Sequence, residues 1–115
     1  MRRVAVTGIG MVTPLAPNVS DTWRRLIESQ SGIRTITSFE TSDLSVKIAG
    51  QIPRSDNQED GFNPDIYVEK KDQRKIDDFI LYAMAAAEQA FKDSGWEAKS
   101  EIDYTKAGVL IGSGI

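Results

Sequence analysis

Neither cysteine nor histidine occurs in the 115 residues. The first absence removes disulfides and thiolate metal sites. The second removes Cys–His nucleophilic pairs, Ser–His–Asp triads and histidine-ligated metals. Catalysis by these residues alone would have to run on carboxylates, lysines or hydroxyls; otherwise the catalytic groups lie outside the chain. The adjacent acids Glu59–Asp60 and Asp77–Asp78 read as solvated surface in a chain that is 27% charged. No apolar run approaches the ~20 residues of a membrane span. Basic excess is missing too: 14 Lys and Arg stand against 17 Asp and Glu, net −3, which disfavours nucleic acid as partner. Met1-Arg2-Arg3 is followed by a stretch broken by Thr7, Gly8 and Gly10, with no small-residue cleavage site. It is not read as a signal peptide, and the default location is cytoplasmic.

What is present is an alternation of strand-like and helical segments, the pattern of an α/β protein. Residues 4–6 are a short apolar run expected of a strand buried on both faces. Ser20 is the expected N-cap of a helix carrying Val19, Trp23, Leu26 and Ile27 at i, i+4, i+7 and i+8. Gly32 is placed to close it, with Ile33 packing on Ile27. Residues 35–52 read as irregular to extended, with a short strand around Val46, Ile48 and Gly50. Residues 53–64 are a polar loop rich in turn formers.

A second helix is expected over residues 72–94, where Ile76, Phe79, Ile80, Ala83, Ala87, Ala90 and Phe91 keep a 3.6-residue period. Gly95 is its left-handed terminator, and Trp96 is placed to meet Phe91. Ala83, Ala85, Ala86 and Ala87 permit close approach of a neighbouring backbone. Residues 107–111 form a second apolar strand leading into Gly112-Ser113-Gly114-Ile115. Two such strands need cover on both faces, and two good helices do not supply it. The expectation is the N-terminal part of something larger.

The opening Thr7-Gly8-Ile9-Gly10 is half of a dinucleotide-binding fingerprint. The third glycine is replaced by Thr13, and Pro14 and Pro17 keep a helix from starting at the turn, so no helix N-terminus meets a pyrophosphate. A tight turn leaving a core strand explains both glycines. Thr7 and Thr13 are read as turn residues, Trp23 as core, Trp96 as helix cap, and Met11 and Met84 as core filler.

Taken together, Val4-Ala5-Val6-Thr7-Gly8-Ile9-Gly10-Met11-Val12-Thr13-Pro14 resembles the opening of the β-ketoacyl-acyl-carrier-protein synthases, synthase II type. Further matches follow in order: Thr22-Trp23, Gln30-Ser31-Gly32-Ile33, Phe39-Glu40-Thr41-Ser42, Lys71-Asp72-Gln73-Arg74-Lys75-Ile76-Asp77 and Ile111-Gly112-Ser113-Gly114-Ile115. Each is weak alone; their succession along nearly the whole chain is specific. The departure is the loop 53–64, longer than in the family.

The resemblance implies a thiolase-like layered αβαβα fold, with residues 1–115 as an incomplete N-terminal portion of its first half. It implies decarboxylative condensation of malonyl-carrier protein with an acyl group held on a cysteine, two histidines assisting, and no cofactor. Those three residues would lie beyond Ile115, so the chain alone is expected to be inactive. The implied partners are acyl- and malonyl-loaded acyl carrier protein and a second copy in a homodimer. Lys71, Arg74 and Lys75, at i, i+3 and i+4 near the start of the second helix, would receive the carrier protein. A solvated face paired with Asp78 remains the plain alternative. Ile115 would line the acyl pocket, against the alternative of a core isoleucine. Two other classes stay open: a nucleotide-binding oxidoreductase and a non-catalytic α/β interaction module.

Overall fold

In the computed structural model, which describes residues 1–57 and 59–114, the chain divides into two units. One is Met11–Asn63; the other joins Met1–Gly10 to Pro64–Ile115.

The Met11–Asn63 unit is organised by helix α1, Val19–Ile27. Its N-cap is Asn18, not Ser20: Asn18 is extended, and its side-chain oxygen accepts from the Asp21 N–H at 2.8 Å. The helix ends on Ser29, not Gly32, with Ser29 at φ 58°. The Ser29 N–H donates to the Leu26 carbonyl at 3.0 Å and the Gln30 N–H to the Arg25 carbonyl at 2.9 Å, the two bonds of a Schellman closure. Gly32 serves a different need, since a Cβ there would stand 2.8 Å from the Pro14 Cβ.

On α1 the buried side chain is Thr22, whereas Trp23 is 62% exposed, so the expected core tryptophan is on the surface. Thr13 explains the exchange. Its hydroxyl lies 3.0 Å from that of Thr22 and accepts from the Leu15 and Ala16 N–H groups, closing the turn after Met11-Val12. A buried hydroxyl must be paired, and here the two threonines pair with each other beside the buried Ala16.

Strands β1, Arg34–Thr35, and β2, Ile48–Ala49, form an antiparallel pair with Arg34 opposite Ala49 and Thr35 opposite Ile48. The expected strand around Ile48 is therefore present, but only two residues long. The two ends of the loop 53–64 are tied together. Arg54 and Phe62 form a parallel bridge, the Phe62 N–H donates to the Pro53 carbonyl at 2.7 Å, and Phe62 is only 1% exposed.

The other unit is built on a 3₁₀ turn, Pro64–Ile66, a one-turn helix α2, Lys70–Gln73, the long helix α3, Asp78–Ser94, and a short helix α4, Glu101–Lys106. The single helix expected over 72–94 is thus two. Asp77 is extended (φ −79°, ψ 160°) and occupies the N-cap position of α3, so the i→i−4 ladder restarts there. The far end follows expectation: Gly95 is left-handed at φ 61°, and the Phe91 and Trp96 rings lie 5.9 Å apart. Leu81 and Ala85 of α3 are buried, with Val68 beside the 3₁₀ turn. The Gln89 amide donates to the Tyr67 hydroxyl at 3.1 Å, tying α3 to that turn.

The expected strands at 4–6 and 107–111 are not formed; among the described residues β1 and β2 are the only strands. Val4 is 93% exposed, Val6 80% and Leu110 100%. A strand exists through ladder bonds to a neighbour, and these segments have apolar patterning without one. Met11 and Met84, at 39% and 46%, are likewise not enclosed. No helix among the described residues is long and apolar enough to cross a membrane.

Candidate functional site: a glycine turn on a helix and a basic segment

Two features are candidates for a functional role, and both lie in the unit built around α3. The first is the glycine turn. A Cβ on Gly8 would meet the Ala90 carbonyl oxygen and stand 2.6 Å from the Ser94 nitrogen. One on Gly10 would meet the Ala86 carbonyl oxygen and stand 2.8 Å from the Ala90 nitrogen. Both glycines therefore serve the close approach of two backbones. The Ile9 N–H between them donates to the Asp93 carboxylate at 2.9 Å. The small residues beneath are Ala86, Ala90 and Ser94, partly the alanine stretch singled out from the sequence. A phosphate-binding turn instead leaves its N–H groups free at a helix N-terminus. Here one N–H is bonded to an acid, and α1 does not begin until Val19. Beside this contact is an apolar hollow of about 360 Å³, lined by residues including Val6, Ala87, Phe91, Trp96 and Val109.

The second feature is the basic segment. Lys71 lies in α2, Arg74 forms its C-terminal cap, and Lys75 follows in the turn. The break at Asp77 corrects the expectation that they share one face in the first turn of a long helix. They remain close along the chain, and all three are exposed. The ion pairs also differ from those anticipated. Lys71 Nζ is 2.7 Å from Glu69 and Lys75 Nζ 2.7 Å from Asp72, with Lys70 3.1 Å from Asp65. Arg74 has no ion pair among the described residues.

The segment is anchored by Gln73, whose side-chain amide donates to Asp65 at 2.9 Å and to the Val68 carbonyl at 2.7 Å. The Gln73 amide first, then the Lys70 ammonium, hold the Asp65 carboxyl below its ordinary value. Sequence reasoning missed Gln73 and Asp65, whose partnership spans eight positions across a turn. Ile115, the expected acyl-pocket residue, lies outside the described residues. No group of three or more Asp and Glu placed to hold a metal ion occurs among the described residues.

What the arrangement offers chemically is anion reception: a guanidinium suited to bidentate carboxylate binding, flanked by ammonium groups on an anchored turn. It holds no nucleophile paired with a base.

The class of fold is set by a solved structure, that of the ishigamide ketosynthase/chain length factor. It matches 84% of this chain and 22% of its own with a TM-score of 0.69 and 28% identity. The fold is accordingly α/β of the thiolase-like kind. The chain belongs to the β-ketoacyl synthase family, whose N-terminal domain matches residues 1–115. It is 50% identical over 115 residues to 3-oxoacyl-acyl-carrier-protein synthase 2 of Rhizobium meliloti, which covers 100% of this chain and 27% of that protein. The enzyme of the same name from Vibrio cholerae is 44% identical over 114 residues, covering 99% and 26% respectively. The chain thus spans about a quarter of the length of these curated relatives.

Proposed function

We propose that these residues are the opening portion, within the first thiolase-like half, of a condensing enzyme that elongates fatty acyl chains. The observation that carries this reading is the 50% identity to a 3-oxoacyl-acyl-carrier-protein synthase 2 along the whole chain. In the reaction, an acyl group moves from the carrier-protein thioester to a cysteine thiolate, releasing the carrier thiol. Malonyl-carrier protein then loses CO₂, and the resulting carbanion attacks the acyl thioester. The cysteine thiolate leaves, giving 3-oxoacyl-carrier protein. Backbone donors and histidines would stabilise the negative charge that develops on oxygen. The cysteine and histidines belong to sequence other than these residues, which contain neither.

The part assigned to this chain is scaffold and reception. The glycine turn fixes the first segment on α3. Lys71, Arg74 and Lys75 receive the acidic carrier protein, and Ile115 borders the acyl chain. A cytoplasmic homodimer without a cofactor accompanies this reading.

The test is a chimera. Residues 1–115 replace the matching segment of the Rhizobium meliloti enzyme, and condensation of acyl- with malonyl-carrier protein is assayed. Retained activity supports the reading; a folded but inactive chimera overturns it. Residues 1–115 alone should show no condensing activity.

A further inference from the structure

The basic segment carries acids among its cations. Between Glu69 and Lys75 the chain carries four cations, Lys70, Lys71, Arg74 and Lys75, against two acids, Glu69 and Asp72. The local balance is +2 in a chain whose net charge is −3, so this segment can draw an acidic protein surface where the chain as a whole does not. Its cations are not equally available. Lys71 is paired with Glu69 and Lys75 with Asp72, both at 2.7 Å, while Arg74 between them has no ion pair among the described residues.

We propose that Glu69 and Asp72 are built-in competitors of the docking partner. By holding Lys71 and Lys75, they leave Arg74 as the first contact and keep docking weak and quickly reversible. This rests on the reading of Lys71, Arg74 and Lys75 as the carrier-protein receiver. The physical argument is one of exchange. Side chains in the Lys71–Glu69 pair are 70% and 73% exposed, and those in the Lys75–Asp72 pair 69% and 46%. Pairs this open are worth little, so a partner carboxylate displaces them at small cost. The cost is nonetheless paid at each encounter, and it subtracts from affinity. Arg74 has no such pair to break, and its planar fork binds a carboxylate through two hydrogen bonds. An enzyme that receives one carrier protein after another gains from quick release, since affinity differences reside mostly in dissociation.

The test uses the full-length protein and holo-acyl carrier protein, with Kd measured by calorimetry at low and moderate salt. Replacing both acids, Glu69→Gln with Asp72→Asn, should tighten binding by about three- to fivefold and steepen its salt dependence. Arg74→Ala should weaken binding more than Lys71→Ala or Lys75→Ala does. In the Glu69→Gln/Asp72→Asn background the two lysine substitutions should cost more than they do in the native sequence. Unchanged or weaker binding by the double variant, while Arg74→Glu still weakens it, would overturn the competition and leave the docking site standing. If Arg74→Glu and Lys71→Glu/Lys75→Glu all leave Kd unaltered, the docking reading falls, and the competition with it.

Discussion

Gly10 lies against the main chain of Ala86: a Cβ added to Gly10 would stand 2.8 Å from the Ala86 carbonyl carbon. The obstacle is backbone, so no rotamer change relieves it. Gly10→Ala should destabilise the folded protein by about 1–3 kcal/mol, the usual range for overpacking. Denaturant unfolding of the full-length protein measures this. Adding Ala86→Gly should not restore stability, because the offending atoms are the carbonyl group of residue 86 and the nitrogen of residue 90. Full rescue would show that the contact is with the alanine methyl instead.

Asn18 and Ser20 offer a paired comparison at the start of α1. Asn18 caps the helix through Asp21, and the Asn18 side chain, followed by Arg24, holds the Asp21 carboxyl below its ordinary value. Asn18→Ala should cost about 1 kcal/mol, whereas Ser20→Ala on the exposed face should stay within about 0.5 kcal/mol. Equal losses would return the cap to Ser20.

Asp65 supplies a pH prediction. Its folded-state pKa is depressed by Gln73 and Lys70, so its contribution to stability is present above the unfolded-state value. That contribution is lost as pH falls through the lower folded-state value. Carboxyl chemical shifts followed by NMR should place the Asp65 midpoint below that of an unperturbed aspartate. Gln73→Leu should move it back towards the ordinary value. A midpoint unmoved by that substitution would mean that Lys70 alone sets it.

On the proposed reception of acyl-carrier protein, charge reversal at Lys71 and Arg74 in the full-length protein should raise the KM for that partner while leaving kcat nearly unchanged. The increase should be largest at low ionic strength. An unchanged KM at low salt counts against reception at this segment.

On the proposed placing of Ile115 beside the acyl chain, Ile115→Phe should exclude longer acyl chains by volume, read as a shortened product profile. An unaltered profile removes Ile115 from the pocket.

The features that could be read in advance are those decided within a few residues. Gly95, Trp96 and Phe91 close one helix end among themselves, and their arrangement follows from spacing alone. Where two local candidates competed, the nearer neighbours chose. Asn18 outbid Ser20 because its carbonyl oxygen reaches the Asp21 N–H, and Ser29 accepted the left-handed position before the chain reached Gly32. The break at Asp77 was hidden because the apolar period runs through it without a change of phase. The two apolar strands failed for a different reason. Their patterning describes an environment, and a ladder partner is a property of distant sequence. At the candidate site, the residue types of Lys71, Arg74 and Lys75 were readable. The pairing of Lys71 with Glu69 and of Lys75 with Asp72 was not, because it depends on where α2 stops.

The spacing of the glycine contact has one more consequence. Gly8 sits over Ala90 and Gly10 over Ala86, so the first segment runs against the direction of α3. Two residues of extended chain advance about 6.6 Å, and four residues of α-helix about 6.0 Å. The two rulers nearly agree over this short span, so every second position of one meets every fourth of the other. Slipping the segment by a single residue would drive the Ile9 side chain onto the alanine track. The alternating glycines therefore act as a key cut for one setting, selecting a single alignment of the first segment along the helix.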